Sequence, residues 1–538
     1  MRRWNGWGNS DVTSLLTSAA LGFLRQVIGE PAAPHDATLR QVLARVAKTP
    51  SRLPRHPLVD ASAAARLAAS FGQSAWDWLR LRFGEVDAVT DGVAFPEHEG
   101  QVRELLDWAA SVRACVLPCG GATSVVGHLM PPNDPRPLLT LNLTRMMRLK
   151  WLDPVAQLAG FEAGVAGPQL ESQLRAQGFT LGHYPQSFEC STLGGWVVTR
   201  SSGQQSARYG RIEQLFAGGT LITPSASLRV GGYPASAAGP DLREWVMGSE
   251  GRLGVLTEAI VRVTRLPEVE QFVGLFFPDW ERAIAAVREL AQARLGLSML
   301  RLANATETMT TLTLAGHARA IAWLERYLLL RGAGGPGENR KCLLLAGFTG
   351  GRIQVAAMRR LAFAIAARYG VVSTGALLGR KWAASRFRGA YLRNSLWDAG
   401  YAVDTMETAC DWSQTPSMVE AIESAGRKAM ADCGERVHAC THLSHVYASG
   451  SSVYSTFVYR IGPDYPTALA RWRALKQSVG DAIVAMGGTI SHQHGVGKDH
   501  APWLVHEKGA AGLRAIAAVV HHFDPDGLMA RGNLLGDA

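Results

Sequence analysis

Three stretches of this sequence hold more glycine and small hydroxyl residues than a packed core uses: Pro118-Cys-Gly-Gly-Ala-Thr-Ser-Val125, Tyr184-Pro-Gln-Ser-Phe-Glu-Cys-Ser-Thr-Leu-Gly-Gly-Trp196 continued by Thr199-Arg-Ser-Ser-Gly203, and Gly248-Ser-Glu-Gly-Arg-Leu-Gly254. Glycine lets backbone amides approach a phosphate with no Cβ in the way, and Ser and Thr add short donors. One such loop is usually only a turn, whereas three in succession suit close backbone contact with a large phosphate-bearing ligand. Further along, Gly487-Gly-Thr-Ile-Ser-His-Gln-His-Gly-Val-Gly497 brackets two histidines with glycine, and His438, His442 and His445 form a dense cluster. A metal site or a solvated loop is the alternative for the bracketed pair, and a supporting structural role is expected for the cluster.

The elements that position these residues need more than one core. At 538 residues with 47% hydrophobic content, two or three domains are expected. The net charge of +10 and pI near 9.4 come from scattered arginines, without a Lys/Arg run or aromatic-interleaved stripe. Nucleic acid is therefore not an expected partner; a small anionic substrate or a lipid headgroup fits better. The cysteines Cys115, Cys119, Cys190, Cys342, Cys410, Cys433 and Cys440 form no CxxC pair, which points to a reducing compartment. Asn9, Ser10 and Asp11 interrupt any signal-like apolar run, and no window approaches about 18 uninterrupted apolar residues. A cytoplasmic location, with possible peripheral association with a membrane surface, is the expectation.

Helical periodicity runs through residues 1–84, beginning with Val12, Leu15, Leu16, Ala19, Phe23, Leu24 and Val27, a segment expected to pack on the body of the protein. Strand-like runs at Ala114–Leu117, Leu138–Leu143, Gln157–Phe161 and Val255–Val263 alternate with helices and carry the three loops between them. From Glu268 the pattern changes to a strand, a helix over Trp280–Ala293, a strand near Ser298–Leu302, another helix and a strand over Lys341–Thr349. Arg331-Gly-Ala-Gly-Gly-Pro-Gly-Glu338 reads as a flexible tip and not a phosphate cradle, because no Lys-Ser/Thr follows.

The three loops in order resemble the flavin-binding domain of the vanillyl-alcohol-oxidase (PCMH-type) superfamily. From Trp4-Asn-Gly-Trp-Gly8 to Arg531-Gly-Asn-Leu-Leu535 the chain is similar to the alkyldihydroxyacetonephosphate synthases, most specifically at 186–202, Arg208-Tyr-Gly-Arg-Ile-Glu213, 247–258, Tyr391-Leu-Arg393 and 487–497. The resemblance implies an α+β fold: a helical N-terminal region (1–84), a two-subdomain PCMH-type FAD-binding domain (85–266), an α+β cap or substrate domain (267–485) and a C-terminal segment (486–538) that returns its histidine motif to the FAD domain. The implied cofactor is non-covalent FAD. Its implied contacts are Gly120, Gly121, Ala122, Thr123, Ser124 and Val125; Gln186, Ser187, Phe188, Glu189, Cys190, Ser191 and Thr192; Thr199, Arg200, Ser201 and Ser202; and Glu250, Gly251, Arg252, Leu253, Gly254, Val255 and Leu256. Ala122 stands where the family usually has a third glycine. Cys119 and Cys190 read as buried small hydrophobes and not as flavin attachment points.

The resemblance further implies exchange of the acyl group of 1-acyl-dihydroxyacetone phosphate for a long-chain alcohol, through a covalent adduct at flavin N5, with no net oxidation. That chemistry asks for an acid and a base, tasks suited to tyrosine and histidine. Tyr454 matches the family's catalytic tyrosine, and His492 and His494 match two of its histidine triplet, with Gln493 in place of the middle one. Arg301 matches an arginine required for activity, and Arg393 one that binds the substrate phosphate, a task suited to a guanidinium fork. No metal is expected, and a homodimer is. The alternative is an FAD-linked 2-hydroxyacid dehydrogenase of D-lactate or glycolate type, whose metal-ligand positions are occupied here by Tyr447, Tyr454 and Gln493; a weaker one is an inactive flavin-binding protein.

Overall fold

The computed structural model describes residues 2–314, 318–333 and 340–536, so residues 334–338 of the glycine-rich tip lie outside the described residues. Among the described residues a small sheet joins Val59–Asp60, Gly92–Ala94, Leu138–Asn142 and Cys115–Cys119 in that order. The last three strands are parallel, as the crossover helix Glu99–Ser111 permits. That helix buries Val102, Leu105, Leu106 and Ala109, one face at helical spacing, against Val116, Leu139 and Leu141. A second, antiparallel sheet runs Leu149–Asp153, Leu158–Glu162, Val255–Arg262, Phe216–Ile222 and Ser227–Val230. The glycine-rich loops connect or flank these strands.

The third large sheet is antiparallel throughout, in the order Val372–Ser373, Val269–Phe277, Cys342–Gly350, Met299–Ala303, Val437–Leu443, Gly450–Arg460 and Tyr401–Asp411. Strand alternation divides its side chains between two faces. Leu300, Leu302, Leu344, Leu443, Val453 and Phe457 enter a core shared with the helices Trp280–Gln292, Arg352–Ala367, Thr415–Asp432 and Tyr465–Ala485. Arg301, His442 and Tyr454 take the opposite face. The register sets Tyr454 directly across from Glu407 on one neighbouring strand and from His442 on the other. Three chemically active groups therefore stand in one row.

The N-terminal stretch carries the helices Ser18–Ile28, Leu39–Lys48, Ala63–Ala68 and Ala75–Phe83, joined by irregular segments, and one short strand, Val59–Asp60, which pairs with Gly92–Ala94. Its first helix starts at Ser18 and not at Val12, because the Thr17 side chain accepts a hydrogen bond from the Ala20 amide and caps the helix there. The preceding Leu15 is exposed, while Leu24 and Ile28 pack on Leu396, Tyr401 and Val458. Trp7, Trp78 and Leu79 join the core of the large sheet. The C-terminal stretch crosses back: Val116 accepts from Ala530 and donates to Leu528 along the edge of the small sheet.

Candidate active site

A cavity of about 740 Å³ lies between the glycine-rich loops and the Arg301, His442 and Tyr454 face of the large sheet. Of the residues expected to touch the cofactor, Gly120, Gly121, Ala122, Thr123, Ser124, Val125, Gln186, Ser187, Ser191, Thr192, Thr199, Ser201, Ser202, Glu250, Gly251, Gly254 and Leu256 line it. Seven others face elsewhere. Phe188 stacks on Phe387 at 5.0 Å, Glu189 accepts from the Tyr391 hydroxyl at 3.1 Å, Arg200 pairs with Glu244, and Arg252 donates to the Met529 carbonyl at 2.7 Å. Leu253 and Val255 are core residues, and the Cys190 carbonyl is packed against Gly121. These loops turn sharply, so immediate neighbours of cavity residues point into the surrounding packing.

The loops interlock so closely that side chains are excluded. A Cβ on Gly120 would lie 2.1 Å from Thr192 Oγ1, and one on Gly121 1.8 Å from the Cys190 carbonyl oxygen. Ala122 adopts φ +51°, the left-handed region that glycine enters freely, so the methyl group is accommodated at a cost of about 1 kcal/mol. Two groups the sequence reading did not assign complete this wall. His128 bridges Ser124 Oγ, 2.5 Å from its Nδ1, and the Glu250 carboxylate, 2.9 Å from its Nε2. Asn533 donates to the His128 and Glu250 carbonyls, leaving its buried Oδ1 without a protein partner at the cavity wall. A glycine cradle and an unspent buried acceptor fit a dinucleotide threaded along this wall. Burial pushes the Cys119 thiol up to about 11 and raises Cys190 as well, so both stay protonated at neutral pH.

Two carboxylates grip the histidine loop from opposite sides. Glu407, from the large sheet, accepts from the amides of Gln493 at 2.7 Å and His494 at 3.1 Å; Glu250 accepts from the amides of Val496 and Gly497. His494 is thereby held edge-on to Tyr454, with ring centroids 5.9 Å apart, and both line the cavity with Gln493. Burial raises the Tyr454 phenol above its ordinary value and keeps it protonated. His492 is turned away. Its Nε2 lies 2.7 Å from both Arg211 Nη1 and the Tyr447 hydroxyl, and its ring stacks on His445. Burial, with His445 and Arg211 adding to it, holds His492 well below its ordinary value. Of the two histidines expected to share acid–base work, His494 alone lines this cavity, while Arg211 and Tyr447 hold His492 as an anchor of the loop.

Arg393 is half-buried in the cavity wall over Trp78, 4.2 Å from the ring centroid, and among the described residues its one hydrogen bond goes to the Gln73 carbonyl. Burial lowers its pKa, yet a guanidinium remains charged there, with most of its donors unspent. Arg301 differs, because its charge is already matched by Glu307, whose Oε1 lies 2.5 Å from Nη2. Glu307 and His442 were legible in the sequence only as a helix residue and one of a histidine cluster, since their meeting spans 135 positions.

Two family models match the chain: an FAD-binding domain over residues 90–231 and the C-terminal domain of FAD-linked oxidases over residues 266–534. FAD is the group this cradle holds. An alkyldihydroxyacetonephosphate synthase of Dictyostelium discoideum is 30% identical over 86% of this chain and 76% of its own, and one of Trypanosoma brucei brucei 27% identical over 99% and 92%. A solved alkyldihydroxyacetonephosphate synthase structure superposes with a TM-score of 0.82 at 25% identity, covering 98% of each chain. Sequence and fold agree along the whole length, and the chain belongs to the alkyldihydroxyacetonephosphate synthase family of FAD enzymes.

Proposed function

We propose that the protein replaces the acyl group of 1-acyl-dihydroxyacetone phosphate with a long-chain alcohol, giving the alkyl ether and a fatty acid. The observation that carries this reading is one cavity holding a half-buried guanidinium with most of its donors unspent, Arg393, together with Tyr454 and His494 opposite the flavin cradle. Bound FAD supplies a nucleophilic ring nitrogen for the substrate carbon that loses its acyl group. Arg393 binds the phosphate through bidentate hydrogen bonds and sets the distance to the reacting carbon. Tyr454, kept protonated by burial, donates to the leaving carboxylate, and His494 takes a proton from C1, the carbon that bears the acyl group. Gln493 hydrogen-bonds His445 and orients without relaying a proton.

The reading extends to a cytoplasmic homodimer lying against a membrane surface, with FAD held non-covalently. Exposed Trp323 and Leu330 on helix Ala318–Leu330, and exposed Leu377 on helix Leu377–Ser385, have Arg326, Arg380 and Lys381 close to them in sequence, a mixture suited to an anionic lipid interface. Among the described residues no helix is long and apolar enough to cross a membrane. The test is flavin spectroscopy on purified protein. Acyl-dihydroxyacetone phosphate is expected to perturb the spectrum and D-lactate or glycolate to leave it oxidised; bleaching by a hydroxyacid alone would transfer the protein to the dehydrogenase reading. Acid precipitation is expected to leave the yellow chromophore in the supernatant, and cosedimentation with anionic vesicles and light scattering check the membrane and dimer assignments.

A further inference from the structure

We infer that His442, oriented by Glu307, is the base that takes the hydroxyl proton of the incoming alcohol; the inference rests on the exchange reaction proposed above. Along strand Val437–Leu443 the alternate residues His438, Cys440 and His442 line the cavity. Facing them, helix Ala305–Leu314 contributes Glu307, Thr310, Thr311 and Leu314, one side of a helix at regular spacing. At the His438 end the wall is apolar, made by Leu24, Leu314, Leu396 and Val458. At the other end His442 stacks on Tyr454 with centroids 4.8 Å apart. An alkyl chain lying in the apolar arm brings its terminal oxygen to His442, beside the groups assigned to the leaving acyl chain.

The histidine is arranged for that task. Glu307 Oε2 lies 2.8 Å from His442 Nδ1, and Arg301 holds the other carboxylate oxygen. Burial works against ionisation of Glu307, but His442 and Arg301 bring its pKa down to about 2, while burial lowers the imidazole. The neutral ring thus donates from Nδ1 to the carboxylate, and Nε2, which has no hydrogen-bond partner among the described residues, carries the lone pair. In the step, the alcohol O–H bond breaks and its proton passes to Nε2. The oxygen's electron pair forms the ether C–O bond at the carbon from which the acyl carboxylate has already departed with the pair of its ester C–O bond, and the pair of the bond this carbon would hold to bound FAD would return to the flavin ring. The proton then leaves to solvent, and nothing is oxidised or reduced. Glu307 is the positioning residue that favours the imidazolium as it forms, and Arg301 in turn positions Glu307.

The test uses the holoenzyme in single turnovers, following release of a labelled acyl chain and incorporation of labelled hexadecanol separately. His442→Asn is expected to release fatty acid within about threefold of the wild-type rate while ether formation falls about 10²–10⁴-fold, with flavin content unchanged. A β-fluorinated alcohol of the same chain length, whose O–H is more acidic, should narrow that gap. Glu307→Gln should lose about tenfold in the ether step and show the same dependence on alcohol acidity. Wild-type ether formation by His442→Asn, or equal loss of both steps with no response to alcohol acidity, overturns the assignment. If the wild-type enzyme itself forms no ether, the exchange reaction fails and this role falls with it.

Discussion

On the flavin-facing wall of the cavity, Gly120 and Gly121 let two loops approach until a single methyl group would collide with the Thr192 side chain or the Cys190 backbone opposite. On the cap-facing wall, Glu407, Tyr454 and His442 stand in register across three strands and work through their side chains. The first wall is made of conformation, the second of functional groups on a rigid sheet. The difference teaches where each is vulnerable: the flavin wall to added volume, the cap wall to the loss of single polar atoms.

The largest effect is expected from removing one atom of the cap wall. Tyr454→Phe keeps the ring stacked on His442 and should lower turnover about 10²–10⁴-fold with FAD content unchanged. Full turnover in this variant would remove the tyrosine from the chemistry. Next comes the flavin wall: Gly121→Ala places its Cβ on the Cys190 carbonyl and should weaken FAD retention about 10–100-fold, read by titrating apoprotein with FAD. Wild-type affinity would mean that the two loops separate easily. Arg393→Lys should raise the KM for the acyl substrate about tenfold and spare the flavin spectrum, because an ammonium cannot reproduce the planar fork. Substrate dependence that does not change would place the phosphate elsewhere. The smallest effect is Ala122→Gly, which relieves the left-handed strain and should raise the melting temperature by about 2 °C or less, measured by flavin fluorescence.

The same division explains what was legible in the sequence. The glycine loops are local, so residue types at consecutive positions announced the cradle, and the strands that carry them appeared as apolar runs. Seven of the expected contacts turned outward because turn geometry, which residue type does not encode, decides which neighbour faces in. The cap wall is assembled over long separations. Glu407 meets Gln493 across 86 positions, and Glu307 meets His442 across 135. Tyr454 and Arg393 were found through family resemblance and not through any local signal. The orientation of His492 was illegible for a related reason: its partners Arg211 and Tyr447 lie 281 and 45 positions away. The helix that begins at Ser18 shows the lesson on a smaller scale, since one hydroxyl at Thr17 outweighed an apolar periodicity that runs back to Val12.

Exchange without oxidation fixes a stoichiometry that can be counted. Purified holoenzyme incubated with 1-acyl-dihydroxyacetone phosphate and labelled hexadecanol should form labelled alkyl-dihydroxyacetone phosphate and release one fatty acid per ether, with the flavin returning to its oxidised spectrum and no consumption of an electron acceptor. Absence of alkyl product, together with turnover of a 2-hydroxyacid that reduces the flavin and needs an acceptor, would contradict the account.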